Sequence, residues 1–454
     1  MKTMKNLIWM AALALTAATW SACSNDDEPT AAEQPAQSRT YTVTTTLSPR
    51  NGAATRSKMT DVGGTTGITA EWEVGDQILV GYYKNGSDFV NTTADVIAVS
   101  DGNDGKVKGT ATIRVTLTDP HNGDIEFKYP ISFYDDTKNP YTDQTGTLAD
   151  INANFAGIYG TGLITVDGSN VTLTPPSSMA PQMCIWKFTF TNGTSNITSD
   201  ITKLVINIPE NNQTYTVSPS SQSPIYVAMY GYGFSTPKSI SITAKTSTGV
   251  YRKVAASVTL AAGKTYTTTD LALTSPAVEN AVAGDIGSVI GADGNIYPNA
   301  NIATTFGTTA RAMIAYVGSA SECTHGLAIQ LNGSPVSKTW DDAKSYAAGL
   351  TTVSGGTWRL PSKADWQNMF LACAKSGDAS SVDANGKMDP IAGFKEKISA
   401  TGTTWKSSPY YWSSTAAGSN AWCVSVNLDG DNAYANFYES ITSNGYSVLG
   451  CLDF

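Results

Sequence analysis

The sequence predicts a mainly β protein, with two antiparallel β-sandwiches followed by a C-terminal α+β domain. Three observations lead to this prediction: many short alternating segments, few charged residues, and a change of composition near residue 278. Charged residues make up only 15% of the 454 residues, and Gly, Thr, Ser and Asn are abundant. This composition favours short strands joined by polar turns. The length suffices for three domains of ordinary size.

The first predicted sandwich covers residues 39–178. Its segments alternate polar and apolar residues, as half-buried antiparallel strands do. The turn signals DGNDG and HNGD separate several of them. A short helical or irregular piece is predicted near GTLADINANFAGIYG. The predicted strands are TYTVTTTL, GITAEWEV, DQILVGYY, VKGTATIRVTL, DIEFKYPISF and the hairpin LITVDGSNVTL.

The second predicted sandwich covers residues 179–277. Alternation is clearest in KFTFT and SISITAK, which indicates sheets with one buried and one polar face. Cys184 opens an apolar strand and is expected to be a core thiol. The predicted strands lie in CIWKFTFTNGT, ITKLVINIP, IYVAMYGYG, KSISITAKTSTGVYRKVAASVTL and KTYTTTDLAL.

Residues 278–454 have a different composition, with six of the ten tryptophans and four of the six cysteines. TWDDAKSYAAGL predicts a helix with one apolar stripe. In GGTWRLPSKADW, Ser362 and Asp365 form a capping-box pattern that starts a second helix. Arg359 either pairs with a buried carboxylate or faces outward. The predicted strands include ARAMIAYVG, HGLAIQL, YYWSST, AWCVSVN, AYANFYE and YSVLGCLDF.

Residues 1–22 are predicted to be a signal peptide, with Lys2 and Lys5 ahead of an apolar run. The run ends in WSAC, which resembles the lipobox of bacterial lipoproteins and implies a lipidated Cys23. The alternative is an ordinary secretory signal with an incidental cysteine. Residues 23–38 are expected to be a flexible tether. Within them, SNDDEP resembles the tract that sends some lipoproteins to the outer face of the outer membrane; the alternative is a solvated linker.

Composition argues against several classes of function. The net charge is −9 and no basic run occurs, so nucleic acid is not an expected partner. His121 and His325 are the only histidines, too few for the multi-histidine sites of most zinc enzymes. We assign no catalytic residue, metal or cofactor, and we expect the protein not to be an enzyme.

The ordered series EWEVGDQILV, GTLADI, IYG, CIWKFTFTNG, IYVAM and LAAGKTYTTTDLAL resembles the fimbrillins, the pilins of type V pili, over about residues 39–275. The resemblance implies transthyretin-like sandwiches. It also implies that an Arg-specific protease removes the leader with the first strand, here TYTVTTTL, so that a neighbouring subunit can insert a strand. Arg50 and Arg56 are the cleavage candidates. The alternative is that both are solvated loop arginines and the strand stays.

Two predicted helices, WRLP, YWSST and AWCVSV together resemble the C-type-lectin-like fold, in the branch that includes tip adhesins and formylglycine-generating enzymes. An oxidase of that kind would use two cysteines for copper, here Cys423 and Cys451, but the RGGSW-type segment is absent. Disulfides among Cys323, Cys423 and Cys451, or buried thiols, are favoured instead. Cys373 is the best candidate for an unpaired core thiol.

Two kinds of ligand site are considered in this domain. NLDGDN superficially resembles a calcium loop, but Asn432 and Tyr438 stand where such a loop needs Gly and Glu, so a hairpin turn is favoured. A metal-independent surface could use aromatic stacking faces for glycan or protein. We expect one or two of its candidates to be exposed; they are Trp405, Tyr410, Tyr411, Trp412 and Trp422.

Taken together, these features predict a surface-exposed outer-membrane lipoprotein that serves as a pilus subunit and tip adhesin. Other pilin subunits are its expected partners through strand exchange, and a glycan or a host or bacterial surface protein is its expected ligand. YSVLGCLDF should be needed in its own sheet and so should not be donated. The alternatives are a non-polymerising surface lipoprotein that binds glycan or host protein, and a formylglycine-generating-like oxidase.

Overall fold

The structure, a computed structural model, describes residues 38–48, 58–63, 67–232, 234, 236–319, 323–331, 336–402, 408–429 and 433–454. Of the predicted site residues, Cys23, Arg50, Arg56 and Trp405 lie outside these ranges. Residues Thr40–Phe454 form one compact unit. No helix within the described ranges is both long enough and apolar enough to cross a bilayer.

The first part of the chain forms an eight-stranded sheet, ordered β1-β6-β5-β4-β7-β8-β10 with β9 paired to β8. A separate hairpin, β2–β3, lies outside it. The strands are β1 (Thr40–Leu47), β2 (Lys58–Gly63), β3 (Gly67–Glu71), β4 (Gln77–Lys84), β5 (Asp88–Val99), β6 (Ala111–Thr118), β7 (Pro120–Tyr129), β8 (Ile158–Asp167), β9 (Asn170–Thr174) and β10 (Ala180–Pro181).

This sheet curls around its core, so that the edge strand β1 comes into contact with β9. Register shifts between Tyr82 and Lys84 and between Val96 and Ala98 mark bends in the ladders. Strand order is continuous from β1 to β10. The first region therefore encloses its core with one curved sheet rather than with two separate ones.

Between β7 and β8 the chain turns helical. The helical pieces are α1 (Ile131–Tyr134), α2 (Leu148–Asp150) and a π-helical turn over Ile151–Phe155. The predicted helical piece near residue 150 is thus confirmed, but the predicted strand DIEFKYPISF ends at Tyr129. Pro130 has no N–H to donate and cannot continue the ladder.

The second region is a two-sheet sandwich. One sheet has β11 at its centre, with β15 and β12 antiparallel to it and β18 parallel; the other is ordered β14-β13-β16-β17. The residues that face inward are almost all apolar. The strands are β11 (Met183–Asn192), β12 (Ser195–Asn196), β13 (Lys203–Ile208), β14 (Gln213–Val217), β15 (Ile225–Tyr230), β16 (Lys238–Lys245), β17 (Val250–Val258) and β18 (Thr265–Leu273).

In its described residues, the C-terminal region combines two six-stranded sheets with four α-helices. The sheets are ordered β20-β19-β21-β22-β30-β24 and β23-β29-β26-β27-β28-β25. Its elements are β19 (Val289–Gly291), β20 (Ile296–Tyr297), α3 (Ala300–Thr305), β21 (Ala310–Val317), β22 (Gly326–Gln330), β23 (Val336–Lys338), α4 (Trp340–Ala348), β24 (Thr357–Arg359), α5 (Lys363–Cys373), β25 (Lys387–Met388), α6 (Ala392–Ala400), β26 (Ser408–Ala417), β27 (Asn420–Asn427), β28 (Tyr434–Ile441), β29 (Tyr446–Val448) and β30 (Cys451–Asp453).

The predicted capping box starts α5. The Ser362 hydroxyl accepts a hydrogen bond from the Asp365 N–H at 3.1 Å, and the Asp365 carboxylate accepts one from the Ser362 N–H at 2.7 Å. Arg359 pairs with the same carboxylate at 2.5 Å and with Asp453 on β30 at 3.1 Å. Of the two possibilities for Arg359, pairing with a buried carboxylate is therefore the one observed.

The second sandwich and the C-terminal region share a packed interface. Arg252 on β17 forms a two-pronged ion pair with Asp285, one prong measuring 2.8 Å, and Asp285 is only 1% exposed. Val205 on β13 packs into the core of the C-terminal region with Val289 and Ile302. A buried, bidentate pair of this kind fixes orientation as well as distance.

Two lysines of the second sandwich reach the carboxyl end of α3. Lys203 donates to the Thr305 carbonyl at 2.7 Å, and Lys245 donates to the Phe306 carbonyl at 3.4 Å. Carbonyl groups at the end of a helix carry partial negative charge and attract cations. The interface thus combines an ion pair, apolar packing and lysine caps.

Candidate functional site

Strand β1 lies at one edge of the first sheet and pairs along its whole length with β6. The antiparallel register runs from Thr40 opposite Thr118 to Leu47 opposite Ala111. Leu47 is completely buried, and Val43 packs against the same core. The strand therefore supplies apolar side chains to the core while having a sheet neighbour on only one side.

Removal of β1 would expose a groove along β6 that is lined by apolar side chains and unpaired backbone groups. The apolar residues of β6 beside it are buried, with Ile113 and Leu117 both at 0% exposure. The N–H and C=O groups that β6 directs at β1 would lose their partners. A replacement strand would need the same alternation of apolar side chains to fill the groove.

The hairpin β2–β3, which follows the candidate cleavage segment, is attached to the second sandwich. The Asp61 carboxylate accepts hydrogen bonds from the Lys187 ammonium at 2.5 Å and the Tyr226 hydroxyl at 2.7 Å. Ile68 is buried among apolar residues of β11 and β15. Burial and then the Asp61 carboxylate raise the pKa of Tyr226, so this hydroxyl stays a donor. Cleavage at Arg50 or Arg56, if it occurs, would leave this hairpin and its contacts in the chain.

The strand at the far end of the chain is internal to its sheet. β30 lies between β22 and β24. The carbonyl of Phe454 accepts hydrogen bonds from the N–H groups of His325 at 3.0 Å and Gly326 at 2.9 Å. The predicted single strand YSVLGCLDF is thus two short strands, β29 and β30, which belong to different sheets. Each has a neighbour on both sides, so both are needed within the C-terminal region.

Two of the aromatic ligand candidates lie in the core instead of on the surface. Tyr411 and Trp412 are both 0% exposed. The indole N–H of Trp412 donates to the Lys338 carbonyl at 2.8 Å, so its polar atom is also satisfied inside the protein. Assigning these two residues to a ligand surface was wrong, because adjacent residues of a central strand pack into cores on its two faces.

Trp422 is half-buried, and a lysine covers its ring. The ammonium of Lys363, the first residue of α5, lies 3.1 Å from the ring centroid. Burial lowers the pKa of Lys363, while the charge of Glu439 opposes this effect. A cation held against an aromatic face is a stable internal contact. Stacking of a ligand on that face would have to displace Lys363.

Tyr410 instead belongs to a cluster that reaches the surface, here called the aromatic patch and defined as Tyr410, Tyr438 and Tyr446. The Tyr410 ring lies 5.7 Å from Tyr438 and 4.9 Å from Tyr446, centroid to centroid. Tyr438 is 42% exposed. The Tyr446 hydroxyl accepts from Ser440 at 2.9 Å. The patch offers aromatic surface and hydroxyl groups in a position fixed by β26, β28 and β29.

Of the three residues of the aromatic patch, the sequence predicted only Tyr410 as a ligand candidate; Tyr438 and Tyr446 were not predicted. The signal was present in the alternation of β28, because Ala435 and Phe437 are buried and so direct Tyr438 to the opposite face. Tyr446 carries no comparable signal, since its place depends on the pairing of β29 with β23 and β26.

Within the part of the chain that the structure describes, no two cysteines are joined in a disulfide, and all five are buried. Of the two possibilities for Cys323, Cys423 and Cys451, disulfides or buried thiols, the structure therefore shows buried thiols. The Cys323 and Cys423 sulfurs each lie 3.5 Å from a nearby backbone carbonyl and pack in different apolar clusters. The expectation of core thiols at Cys184 and Cys373 agrees with this structure.

Burial also affects the chemistry of these thiols. It raises the pKa of Cys423 to about 11 and that of Cys451 further. The thiolate is the form that binds metals, and burial disfavours it. Among the described residues, no group of three or more His, Cys, Asp or Glu side chains is arranged to hold a metal ion.

Comparison with known proteins adds no family assignment. No protein-family model matches the chain, and no curated protein matches it.

Proposed function

We propose that the protein is a pilus subunit at the cell surface whose first strand is removed and replaced by a strand from a neighbouring subunit. The observation that carries the proposal is the position of β1, an edge strand that pairs over its full length with β6 and buries Leu47. Such a strand can be exchanged without breaking the rest of the sheet. A donated strand restores both the backbone pairing and the apolar contacts.

In this proposal the protein occupies the tip of the fibre. The fimbrillin resemblance implies that shaft subunits donate a C-terminal tail. Here the residues after β18 fold into the C-terminal region, and β30 lies inside a sheet. A subunit that accepts a strand but offers none ends the fibre. Immunogold labelling is expected at fibre ends only; label along the whole shaft would contradict the tip position.

The C-terminal region supplies the adhesive function in this proposal, and its resemblance to C-type-lectin-like domains is the reason. The aromatic patch is the ligand surface, because aromatic rings with nearby hydroxyl groups suit both sugars and proteins. The ligand class is a glycan or a surface protein.

Strand removal is tested by the mature N-terminus of protein taken from the cell surface. Cleavage gives a chain that starts at Asn51 or Ser57, and replacing both Arg50 and Arg56 by alanine is expected to retain the Cys23 lipid and abolish incorporation into fibres. The single variants serve as controls that identify the cleaved bond. A mature start at Cys23 in the unaltered protein, without strand exchange, would instead support the non-polymerising lipoprotein.

The ligand surface is tested on a glycan and matrix-protein array. Tyr438→Ala is expected to reduce binding at least about tenfold, as truncation of an exposed aromatic anchor does. Tyr83→Ala is the matched control, because Tyr83 is 43% exposed on the first sheet and Tyr438 is 42% exposed. If both variants bind equally well, the aromatic patch is not the ligand surface.

A further inference from the structure

A cleft separates part of the second sandwich from the C-terminal region. Its volume is about 780 Å³, within the range of small-molecule sites. One wall is the outer face of the sheet β14-β13-β16-β17, and the other comes from residues 284–305 and the end of α6. The ion pair of Arg252 with Asp285 joins the two walls at one point.

The sheet wall is polar because of strand alternation. Ile240 and Ile242 of β16 face the sandwich core, so Ser241 and Thr243 face the cleft. On β13 the same alternation turns Asn207 to the cleft, directly opposite Ser241 in the register. Three polar side chains are therefore neighbours on this wall.

These three side chains are buried, yet they have unused capacity for hydrogen bonds. Asn207 is 6% exposed; its Oδ1 atom accepts from the Thr214 hydroxyl at 2.9 Å, but its Nδ2 atom donates to no described residue. Thr243 is 2% exposed, and its hydroxyl has no hydrogen bond to a described residue. The Ser241 hydroxyl lacks one as well. Buried polar groups almost always have partners, so a ligand in the cleft is a natural source of them.

The charges at the cleft cancel. Two cations, Arg252 and Lys397, stand against two anions, Asp285 and Glu210. Lys253 belongs to the other face of β17, because its register partner faces the sandwich core. No aromatic side chain occurs among the described residues that line the cleft. The lining thus favours an uncharged ligand that is not held by aromatic stacking.

The opposite wall combines apolar and polar groups. Ile286 and Pro298 are half-buried there, and the side chain of Asn301 is exposed. A saccharide has the matching combination, because its ring carries C–H groups as well as hydroxyl groups. Each sugar hydroxyl both donates and accepts a hydrogen bond.

We propose that this cleft binds an uncharged saccharide whose hydroxyl groups form hydrogen bonds with Asn207 and Thr243. A sugar oxygen accepts from the Asn207 amide, and the Thr243 hydroxyl donates to or accepts from another. The site is separate from the aromatic patch and does not depend on the pilus function. Its two walls come from different regions of the chain.

The test is calorimetric titration of the purified full chain with three uncharged disaccharides: maltose, cellobiose and lactose. At least one is expected to bind at millimolar concentration, and 3′-sialyllactose, the charged counterpart of lactose, should bind no more tightly than lactose. The proposal is overturned if none of the three binds. It is also overturned if sialyllactose binds at least about tenfold more tightly than lactose, a difference that would require an anionic group.

Thr243→Val tests the hydroxyl, because valine has the same shape without it. The variant should bind the disaccharide about three- to tenfold more weakly, as loss of one hydrogen bond does. Thr216→Val is the matched control and should bind normally. Thr216 lies on the same face of the same sheet, since Tyr215 and Val217 face the core, but it does not line the cleft.

Folding and binding are separated by two measurements. Because the Thr243 hydroxyl has no internal partner, Thr243→Val should unfold at an unchanged temperature. Ser239→Trp, at an exposed position of the cleft wall, should fill the cleft and abolish binding without unfolding the protein. The proposal is overturned if either variant binds like the unaltered chain. The Tyr438→Ala variant should bind the disaccharide normally, so failure of this proposal and failure of the proposed function are distinguishable.

Discussion

Arg359 connects three elements of the C-terminal region through one guanidinium group. It stands on β24, pairs with Asp365 in the first turn of α5 and pairs with Asp453 on β30. Asp365 is 1% exposed and also caps the helix through the Ser362 N–H. Because the Asp365 carboxylate is buried, its negative charge is stabilised by the positive charge of Arg359.

Replacing Arg359 by methionine should therefore destabilise the protein by about 2–5 kcal/mol, because a buried carboxylate loses its cation. The measurement is urea unfolding followed by tryptophan fluorescence. Lys375→Met is the control, because its partner Glu396 is 67% exposed and ion pairs at the surface contribute little to stability. Equal effects of the two variants would contradict the role given to Arg359.

The cysteines give a second prediction at the residue scale. With a pKa near 11 for Cys423 and 12 for Cys184 and Cys373, only about a thousandth or less of each thiol is thiolate at pH 8, and the thiolate is what reacts. Iodoacetamide should leave these residues unmodified in the native protein.

Unfolding the same sample in guanidinium without reductant should then modify all five described cysteines, as counted by mass spectrometry. Fewer than five modified sites before reduction, and five after it, would show a disulfide and contradict the arrangement of buried thiols.

At the scale of elements, β1 differs from the strands beside it. It has one sheet neighbour, and most of its residues are half-exposed or exposed. Elements with few buried contacts open locally more often than the rest of a fold. Its apolar anchor, Leu47, is thus expected to set how often the strand leaves the sheet.

Leu47→Ala should accelerate hydrogen exchange of the β1 amides at least about tenfold, because loss of a buried leucine costs about 2–5 kcal/mol and each 1.4 kcal/mol is tenfold. Exchange in β4 should change much less. Thr44→Ala, at an exposed position of the same strand, is the control. If both variants exchange alike, Leu47 does not hold the strand.

Strand positions were largely predictable from alternation, as β4, β6, β16 and β27 show, because one buried face imposes a period of two. The curling of the first sheet, which brings β1 into contact with β9, was not predictable, since it depends on contacts between strands that are distant in the sequence.

The burial of the aromatic candidates was not predictable either. The sequence does not distinguish Tyr411 and Trp412 from the candidates that reach the surface, and only the structure shows that cores lie on both faces of β26. The cleft between the second sandwich and the C-terminal region was not predictable, because one wall comes from residues 207–253 and the other from residues 284–305 and the end of α6.

At the scale of the whole molecule, the second sandwich and the C-terminal region are joined by Arg252 and Asp285. Asp285 also accepts a hydrogen bond from the Val282 N–H at 2.8 Å. The lysine caps on α3 add two further hydrogen bonds between the two regions. Their unfolding should accordingly be coupled.

Asp285→Asn is expected to weaken that coupling, because Arg252 keeps its charge but loses a buried anion, at a cost of about 3–5 kcal/mol. Differential scanning calorimetry should show a lower transition temperature and a broadened or split transition. Glu396→Gln, which breaks an exposed pair, should leave the profile unchanged. A single, unshifted transition in Asp285→Asn would contradict the coupling.

The ladder between β1 and β6 has a consequence for force. Its hydrogen bonds lie perpendicular to the strands, and eight residue pairs are in register. A pull along the strand axis would load the whole ladder at once, in shear, whereas a pull across it would break the bonds one after another. A strand held in this ladder would therefore resist tension along its own axis far better than peeling from its side.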